Sequence, residues 1–196
     1  MNIQQQIEES LSQLCPFSGA QSAAILEKMS IRTLRKNEML LAPPKVCTFT
    51  ALVLQGSFRM FQPAEDPEGV KENTLHFFTE NCWVGDMESF VVQRPATKCI
   101  QAMEKAEIGL LSIHDLHDLI RQDQAFFAMG RMMKEWAMPA NQYTSLVNDS
   151  PDERYQALLK THPNWIIRFP QMYLASYLGM TRETFSRVKR RYLAPC

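Results

Sequence analysis

The chain has 196 residues, 45% of them hydrophobic, and its 21 basic and 21 acidic residues leave no net charge. This length allows one or two domains with a sizeable core, and a neutral chain has no global basic field, so any binding of nucleic acid must come from a local patch. The five cysteines form no CxxC pair, which argues against a disulfide framework, a zinc site or an iron–sulfur cluster. Because there is no leader-like N-terminus and no long apolar run, we expect a cytoplasmic protein.

The first third of the chain changes from a helical to a strand pattern. Residues 2–29 are predicted to be helical with an interruption at Pro16, because apolar residues recur at helical spacing on both sides of it. A polar loop is expected over residues 63–72. Many short strands with no helix between them predict a β sandwich or jelly roll. Seven strands are predicted, at residues 31–34, 39–41, 49–54, 58–61, 74–78, 97–102 and 108–113.

The second helical region begins after His114, with a short helix around residues 116–120 and then the longest helical pattern of the chain. Apolar residues spaced alternately three and four apart predict a coiled-coil seam and a parallel homodimer, with a core helix on the sandwich as the alternative. Pro139 lies inside this pattern and predicts a kink near residues 135–138. The seam residues are Phe126, Met129, Met133, Trp136, Ala140, Tyr143 and Val147.

A capping box marks the start of the C-terminal region. Ser150 is the expected N-cap, Pro151 the first helical residue and Glu153 the reciprocal partner three residues after the cap. This helix is predicted to end near Thr161. Residues 148–150 are therefore a predicted domain boundary and hinge.

Residues 171–191 predict two short helices joined by a glycine turn. Gly179 can adopt a positive φ, and Thr181 follows it at a helix-starting position. Five apolar residues would fill the space between the two helices, namely Leu174, Leu178, Met180, Phe185 and Val188. Five positive charges and one negative charge would remain outside, on Arg182, Glu183, Arg187, Lys189, Arg190 and Arg191. Such a basic helical face suits the major groove of DNA.

The order of these parts resembles the Crp/Fnr family of bacterial transcription regulators over nearly the whole chain. The strings at residues 85–90, 153–155 and 175–179 are similar to those of a branch common in the Bacteroidetes. The resemblance implies an α+β fold: an N-terminal cyclic-nucleotide-binding-like jelly roll with flanking helices (1–122), a long dimerisation helix (123–148) and a winged-helix-like helix-turn-helix domain (149–196). The β hairpin that follows the recognition helix in some members is expected to be absent, with a strand at residues 166–169 as its only remnant.

The same resemblance implies a homodimeric, sequence-specific transcription regulator that binds palindromic double-stranded DNA, with RNA polymerase as a further partner and no membrane association. Matched to the family motif, Arg182, Glu183 and Arg187 are the expected base contacts. Arginine can donate two hydrogen bonds to guanine, and glutamate can accept one from cytosine. The expected phosphate contacts are Thr181, Thr184, Ser186, Lys189 and Arg190.

The predicted sensor domain departs from the members of this family that bind cyclic AMP. Gly85 and Asp86 match the sugar-binding half of their phosphate-binding cassette, but Ala96 stands where the resemblance requires a phosphate-binding arginine. The sequence therefore argues against cyclic AMP and leaves open another small effector or none. The candidate pocket residues are Gly85, Asp86, Met87, Glu88, Arg94 and Thr97.

Two other classes of function were weighed from the residues. A cupin-like metalloenzyme would need clustered histidines, whereas the four histidines of this chain form no HxH pair, so neither catalysis nor a metal site is expected. His76, on a predicted strand, is interpreted as a packed or surface residue and not as a haem ligand. A ligand-sensing dimer that acts through protein partners is the remaining alternative, and it would not need the basic helix.

Overall fold

The computed structural model describes residues 3–66, 69–127 and 149–193. These residues form two compact units. Unit 1 comprises residues 3–60 and 77–127, and unit 2 comprises residues 61–66, 69–76 and 149–193. Among the helices of these residues, none has the length and apolar character needed to cross a membrane.

Unit 1 begins with the two predicted helices, α1 (Ile3–Leu14) and α2 (Gly19–Lys28). The hydroxyl of Ser18 accepts a hydrogen bond from the backbone N–H of Gln21, and the Gln21 side chain accepts one from the backbone of Ser18. This capping box starts α2 two residues after Pro16, so the interruption predicted there is confirmed.

The predicted jelly roll is confirmed as two four-stranded sheets, in the orders β1-β8-β3-β6 and β2-β7-β4-β5. In the first sheet, β3 pairs antiparallel with both β8 and β6, and β1 pairs antiparallel with β8. Leu52 and Val53, adjacent on β3 and directed to opposite faces, are both completely buried, as is Ile108 on β8, so β3 is a central strand covered on both faces. The strands are β1 (Ser30–Leu34), β2 (Met39–Leu41), β3 (Phe49–Gln55), β4 (Phe58–Asp66), β5 (Gly69–Phe78), β6 (Trp83–Val84), β7 (Cys99–Ala102) and β8 (Ala106–Ser112).

The strands differ from the prediction in two places. The polar loop expected over residues 63–72 belongs largely to β4 and β5, which continue into unit 2. Residues 62–63 and 71–73 are exposed, so this part of the two strands shows no alternation of apolar and polar residues. The strands form because their backbones pair, which the sequence pattern does not display. The two-residue strand β6 was missed because it is too short to show a period.

Three short helices complete unit 1: α3 (Met87–Val92), α4 (Ile113–Gln122) and a 3-10 turn (Gln124–Phe126). Phe126, the first residue of the predicted seam, is buried and packs on Phe17 with ring centroids 5.7 Å apart. The other seam residues and Pro139 lie outside the described residues.

Unit 2 contains the ends of β4 and β5 and four helices: α5 (Pro151–Thr161), α6 (Trp165–Arg168), α7 (Gln171–Tyr177) and α8 (Arg182–Leu193). The capping box of Ser150 and Glu153 is present, with N–H···O distances of 2.7 and 3.3 Å. The predicted start and end of α5 are therefore confirmed.

The strand predicted at residues 166–169 is wrong, because this segment forms the helical turn α6. A helical turn lets Trp165 and Phe169, four residues apart, both be buried while Ile167 stays exposed. The Trp165 ring also stacks on His162, with centroids 3.9 Å apart and planes at 6°. Aromatic packing thus outweighs the strand preference of the two β-branched residues between them.

Candidate nucleic-acid interface

Helices α7 and α8 meet at a tight glycine turn. Gly179 has a φ of 61°, a left-handed conformation that residues with a Cβ rarely adopt. The backbone N–H groups of Gly179 and Met180 donate to the carbonyls of Ser176 and Ala175, which ends α7. Thr181 then starts α8, because its hydroxyl accepts the backbone N–H of Thr184 at 3.2 Å.

The apolar residues predicted to lie between these helices do so. Leu174, Leu178, Phe185 and Val188 are at most 2% exposed, and Met180 is half-buried. The ring of Tyr155, from α5, packs on Phe185 with centroids 5.6 Å apart. This core fixes which face of α8 remains outside.

The outer face of α8 carries the three predicted base contacts, all of them exposed. Glu183 and Arg187 are one helical turn apart, and Arg182 precedes them at the first helical position. The pKa of the Glu183 carboxyl is lowered, first by a hydrogen bond from its own backbone N–H, then by Thr181 and by the charges of Arg182 and Arg187. Near neutral pH this face therefore presents one acceptor carboxylate between two donor guanidinium groups.

The predicted phosphate contacts differ in their exposure and in the hydrogen bonds that they already make. Ser186 and Arg190 are exposed, whereas Lys189 is half-buried. The hydroxyls of Thr181 and Thr184 lie 3.1 Å apart, and Thr184 also accepts a hydrogen bond from Arg187 at 3.3 Å. Both threonines therefore already contribute to the first turn of α8.

One positive charge that was expected on this outer face has another partner. Arg191 donates from Nε and Nη2 to the two carboxylate oxygens of Asp152 on α5, with the Nε–Oδ1 distance at 3.2 Å. The pair fixes the last turn of α8 to α5, and it lowers the net positive charge available to a ligand by one. Sequence periodicity could not show this, because the two residues are far apart in the chain.

Sequence reasoning also missed a basic residue behind the glycine turn. Arg154 on α5 donates from Nη1 to the carbonyl of Leu178 at 2.5 Å and to that of Gly179 at 3.2 Å. In the sequence, Arg154 contributes only to the resemblance to the Crp/Fnr family, through the string at residues 153–155. Nothing in its spacing relates it to a turn more than twenty residues later.

In unit 1, two of the candidate pocket residues, Asp86 and Glu88, are paired with Lys98. The Asp86 carboxylate is 2% exposed, caps α3 by accepting the Ser89 N–H at 3.5 Å, and lies 3.3 Å from Lys98 Nζ. Lys98 Nζ is also 3.0 Å from Glu88. Burial works to lower the pKa of Lys98, but its hydrogen bonds and charge interactions with Glu88 and Asp86 outweigh that effect and raise the pKa.

The other candidate pocket residues are arranged differently. Arg94 and Thr97 are exposed, and the Arg94 carbonyl accepts the Ser89 hydroxyl at 2.6 Å. Ala96 is buried, and its N–H donates to the Lys45 carbonyl at 2.9 Å. The structure thus brings Asp86 and Glu88 together with Lys98, which the sequence did not suggest. Of the remaining two candidates, Gly85 is buried and Met87 is half-buried.

The histidines do not gather into a metal site. Within residues 3–66, 69–127 and 149–193, no three His, Cys, Asp or Glu side chains are placed to hold a metal ion. His76 packs against Trp165 in unit 2, with centroids 5.6 Å apart and ring planes at 78°. Burial lowers the pKa of His76 to about 4, and the nearby His162 is the smaller cause.

A hydroxyl on α7 bonds to the edge of β5 within unit 2. Ser176 Oγ accepts the backbone N–H of Thr74 at 2.9 Å and donates to the carbonyl of Glu72 at 3.0 Å. The two backbone groups are two residues apart on one edge of the strand, so a single hydroxyl serves both. The sequence offered no signal for this contact.

No family model and no curated protein matches this sequence. Among solved structures, FixK2 from Bradyrhizobium japonicum is similar with a TM-score of 0.70 at 16% identity, and the match covers 83% of each chain. The c-di-GMP responsive global regulator CLP from Xanthomonas campestris is similar with a TM-score of 0.66 at 17% identity, over 89% of this chain and 91% of that one. Thermus thermophilus catabolite activator protein gives a TM-score of 0.55 at 20% identity, over 91% and 88%.

These likenesses cover both the jelly roll and the helix-turn-helix. The fold is therefore the one expected from the sequence: that of the Crp/Fnr-type regulators, with a cyclic-nucleotide-binding-like domain followed by a helix-turn-helix. At these identities the likeness establishes the fold alone.

Proposed function

We propose that this protein is a homodimeric, sequence-specific DNA-binding transcription regulator. The observation that carries the proposal is the exposed outer face of α8, where Arg182, Glu183 and Arg187 are directed outward because Phe185 and Val188 on the opposite face are buried. Arginine and glutamate at the start of a recognition helix suit guanine and cytosine edges in the major groove. CLP, which has a similar fold, is described as a global regulator that links cell-cell signaling to virulence gene expression, and this supports the proposal.

The proposed dimer rests on the coiled-coil seam predicted from the sequence. Two recognition helices related by a two-fold axis would enter successive major grooves about 34 Å apart, so the preferred site should be an inverted repeat. The jelly roll would change DNA affinity through the hinge predicted at residues 148–150, with or without an effector in the candidate pocket. It would do so by favouring one of two dimer arrangements.

Selection of binding sites from random duplex DNA tests this function. We expect enrichment of an inverted repeat with half-sites about one helical turn apart. Enrichment of no sequence, with an affinity that depends on salt alone, would contradict the proposal. The rival protein-partner function predicts that an Arg182→Ala, Arg187→Ala double variant keeps full regulatory activity in cells.

We also propose that cyclic AMP is not the effector. A cyclic phosphate needs a cation in its pocket, and the half-buried cation Lys98 is already paired with Asp86 and Glu88, so these three side chains together carry one negative charge. Arg94, the other cation among the candidate pocket residues, is exposed. We expect no complex by isothermal titration calorimetry with cyclic AMP, and the same DNA affinity with and without it. A complex that forms and raises DNA affinity would overturn this part while leaving DNA binding intact.

A further inference from the structure

The end of helix α7 and the turn after it are bonded partly by the backbone and partly by a side chain of α5. The carbonyls of Leu174, Ala175 and Ser176 accept the N–H groups of Leu178, Met180 and Gly179. Two carbonyls of the turn that follows, those of Leu178 and Gly179, accept the Arg154 guanidinium. A cation at this position satisfies orphan acceptors and also interacts favourably with the negative end of the helix dipole.

The glycine at this turn is adapted to the same arginine. A Cβ on Gly179 would lie 3.1 Å from Arg154 Nη1, closer than ordinary van der Waals contact, and the φ of 61° already disfavours any other residue. The guanidinium therefore lies directly against the backbone that connects α7 to α8. Its position restricts how that connection can turn.

Helix α5, which carries Arg154, also holds α8 directly. Asp152 pairs with Arg191, and Gln156 donates to the hydroxyl of Tyr192. The Tyr155 ring is 5.4 Å from that of Tyr192 and is almost completely buried. Helix α5 thus contacts the end of α7 through Arg154 and, from another side, α8 through Asp152, Tyr155 and Gln156.

We infer that Arg154 is a positioning residue for base recognition: by capping α7 from α5, it sets the direction in which α8 leaves the glycine turn. This inference rests on the proposed DNA-binding function and adds a residue that does not itself touch DNA. Contacts to bases need a fixed side-chain geometry, whereas phosphate attraction tolerates small movements of the helix. Loss of Arg154 should therefore weaken specific binding more than nonspecific binding.

The experiment compares Arg154→Gln, Arg154→Lys and Lys160→Gln, the last being an exposed residue of the same helix that removes the same charge. Each is titrated, at one salt concentration and below its unfolding transition, with the duplex selected by the wild type and with an unrelated duplex. For Arg154→Gln we expect at least a tenfold lower affinity for the selected duplex and less than a twofold change for the unrelated one. Arg154→Lys should recover part of the loss, and Lys160→Gln should keep the wild-type ratio.

Backbone amide NMR signals of Met180 and Glu183 supply a second measurement that does not need DNA. We expect them to shift in Arg154→Gln and to stay in place in Lys160→Gln. Unshifted signals, an unchanged affinity ratio, or an equal loss on both duplexes would overturn the positioning role. If instead the wild type prefers no duplex while these signals do shift, the DNA-binding function fails and the capping role stands.

Discussion

At the scale of single residues, the exposed side chains of α8 differ in what they can recognise. Arg182 lies at the first helical position beside Glu183, a position from which an arginine of a recognition helix can make a bidentate contact with a base edge. Arg190 lies two turns later in the same helix. Each guanidinium is exposed and carries the same charge. A comparison of variants at Arg182 and Arg190 therefore distinguishes recognition of a base from general attraction to phosphates.

We predict that Arg182→Ala reduces affinity for the selected duplex by about 1–3 kcal/mol and relaxes the preference at one base pair of each half-site. Arg190→Ala is the matched variant, and it should weaken binding to all duplexes alike and lower the slope of affinity against salt by about one. Fluorescence anisotropy with single-base variants of the site measures both effects. Equal losses on every duplex for Arg182→Ala would contradict its assignment as a base contact.

His76 is the residue whose pKa predicts a pH dependence of stability. The pKa of His76 is about 4 in the native state and near 6.5 in the unfolded chain. Between these two pH values the unfolded chain binds a proton that the native state does not bind. Its contribution is therefore fully present above pH 6.5 and is lost as the pH falls towards about 4, a difference of about 3 kcal/mol.

Urea unfolding from pH 4 to 7 measures this dependence. The His76→Phe variant, which keeps an aromatic ring against Trp165 but cannot titrate, should lose most of the slope in that window. The exposed His114→Gln should keep the slope. A slope as steep in His76→Phe as in the wild type would show that other groups cause it.

At the scale of elements, the edge of β5 and helix α7 share one hydroxyl. In the part of the chain that the structure describes, β5 is the terminal strand of its sheet and its outer N–H and C=O groups face no further strand. Ser176 bonds to two of these groups. Thr74, which provides the N–H, is completely buried. A backbone donor that loses its partner in such a place costs about 1–3 kcal/mol.

We predict that Ser176→Ala speeds hydrogen exchange at the Thr74 amide, because the N–H loses its acceptor. Ser186→Ala removes an equivalent hydroxyl from the exposed face of α8 and should leave that amide unchanged. Exchange followed by NMR in the absence of DNA separates the two. Unaltered protection of Thr74 in Ser176→Ala would exclude the bond as the cause of that protection.

At the scale of the whole molecule, the proposed function needs two copies of the chain. The seam predicted from the sequence places Met129 and Met133 on the face that would meet a partner, while Phe126 belongs to the core of unit 1. A charged residue in an apolar seam is costly, because the partner offers no compensating charge.

We expect sedimentation analysis to give twice the mass of the 22.6 kDa chain. Met133→Lys should shift the protein towards the monomer and reduce binding to the inverted repeat far more than binding to a single half-site. Gln122→Lys, an exposed substitution of the same charge on α4, should leave both unchanged. A dimer that persists in Met133→Lys would contradict the assignment of the seam.

The sequence by itself determined the elements whose causes are local. The capping box at Ser150, the glycine turn at Gly179 and the apolar spacing of Leu174, Leu178 and Phe185 were all predicted, because each depends on residues within one or two turns of one another. Alternation of apolar residues identified the jelly roll for the same reason. The outward orientation of the predicted base contacts follows from this local pattern.

Only the tertiary structure decided which polar groups pair across the chain. Arg154 with the α7 turn, Asp152 with Arg191, Lys98 with Asp86 and Ser176 with β5 join residues that are between 12 and 104 positions apart. A pairing of this kind leaves no period in the sequence, since its partners meet only when separate elements pack. The side chains that face outward on α8 could therefore be predicted from the sequence. The groups of α5 that contact α7 and α8 were found only in the tertiary structure.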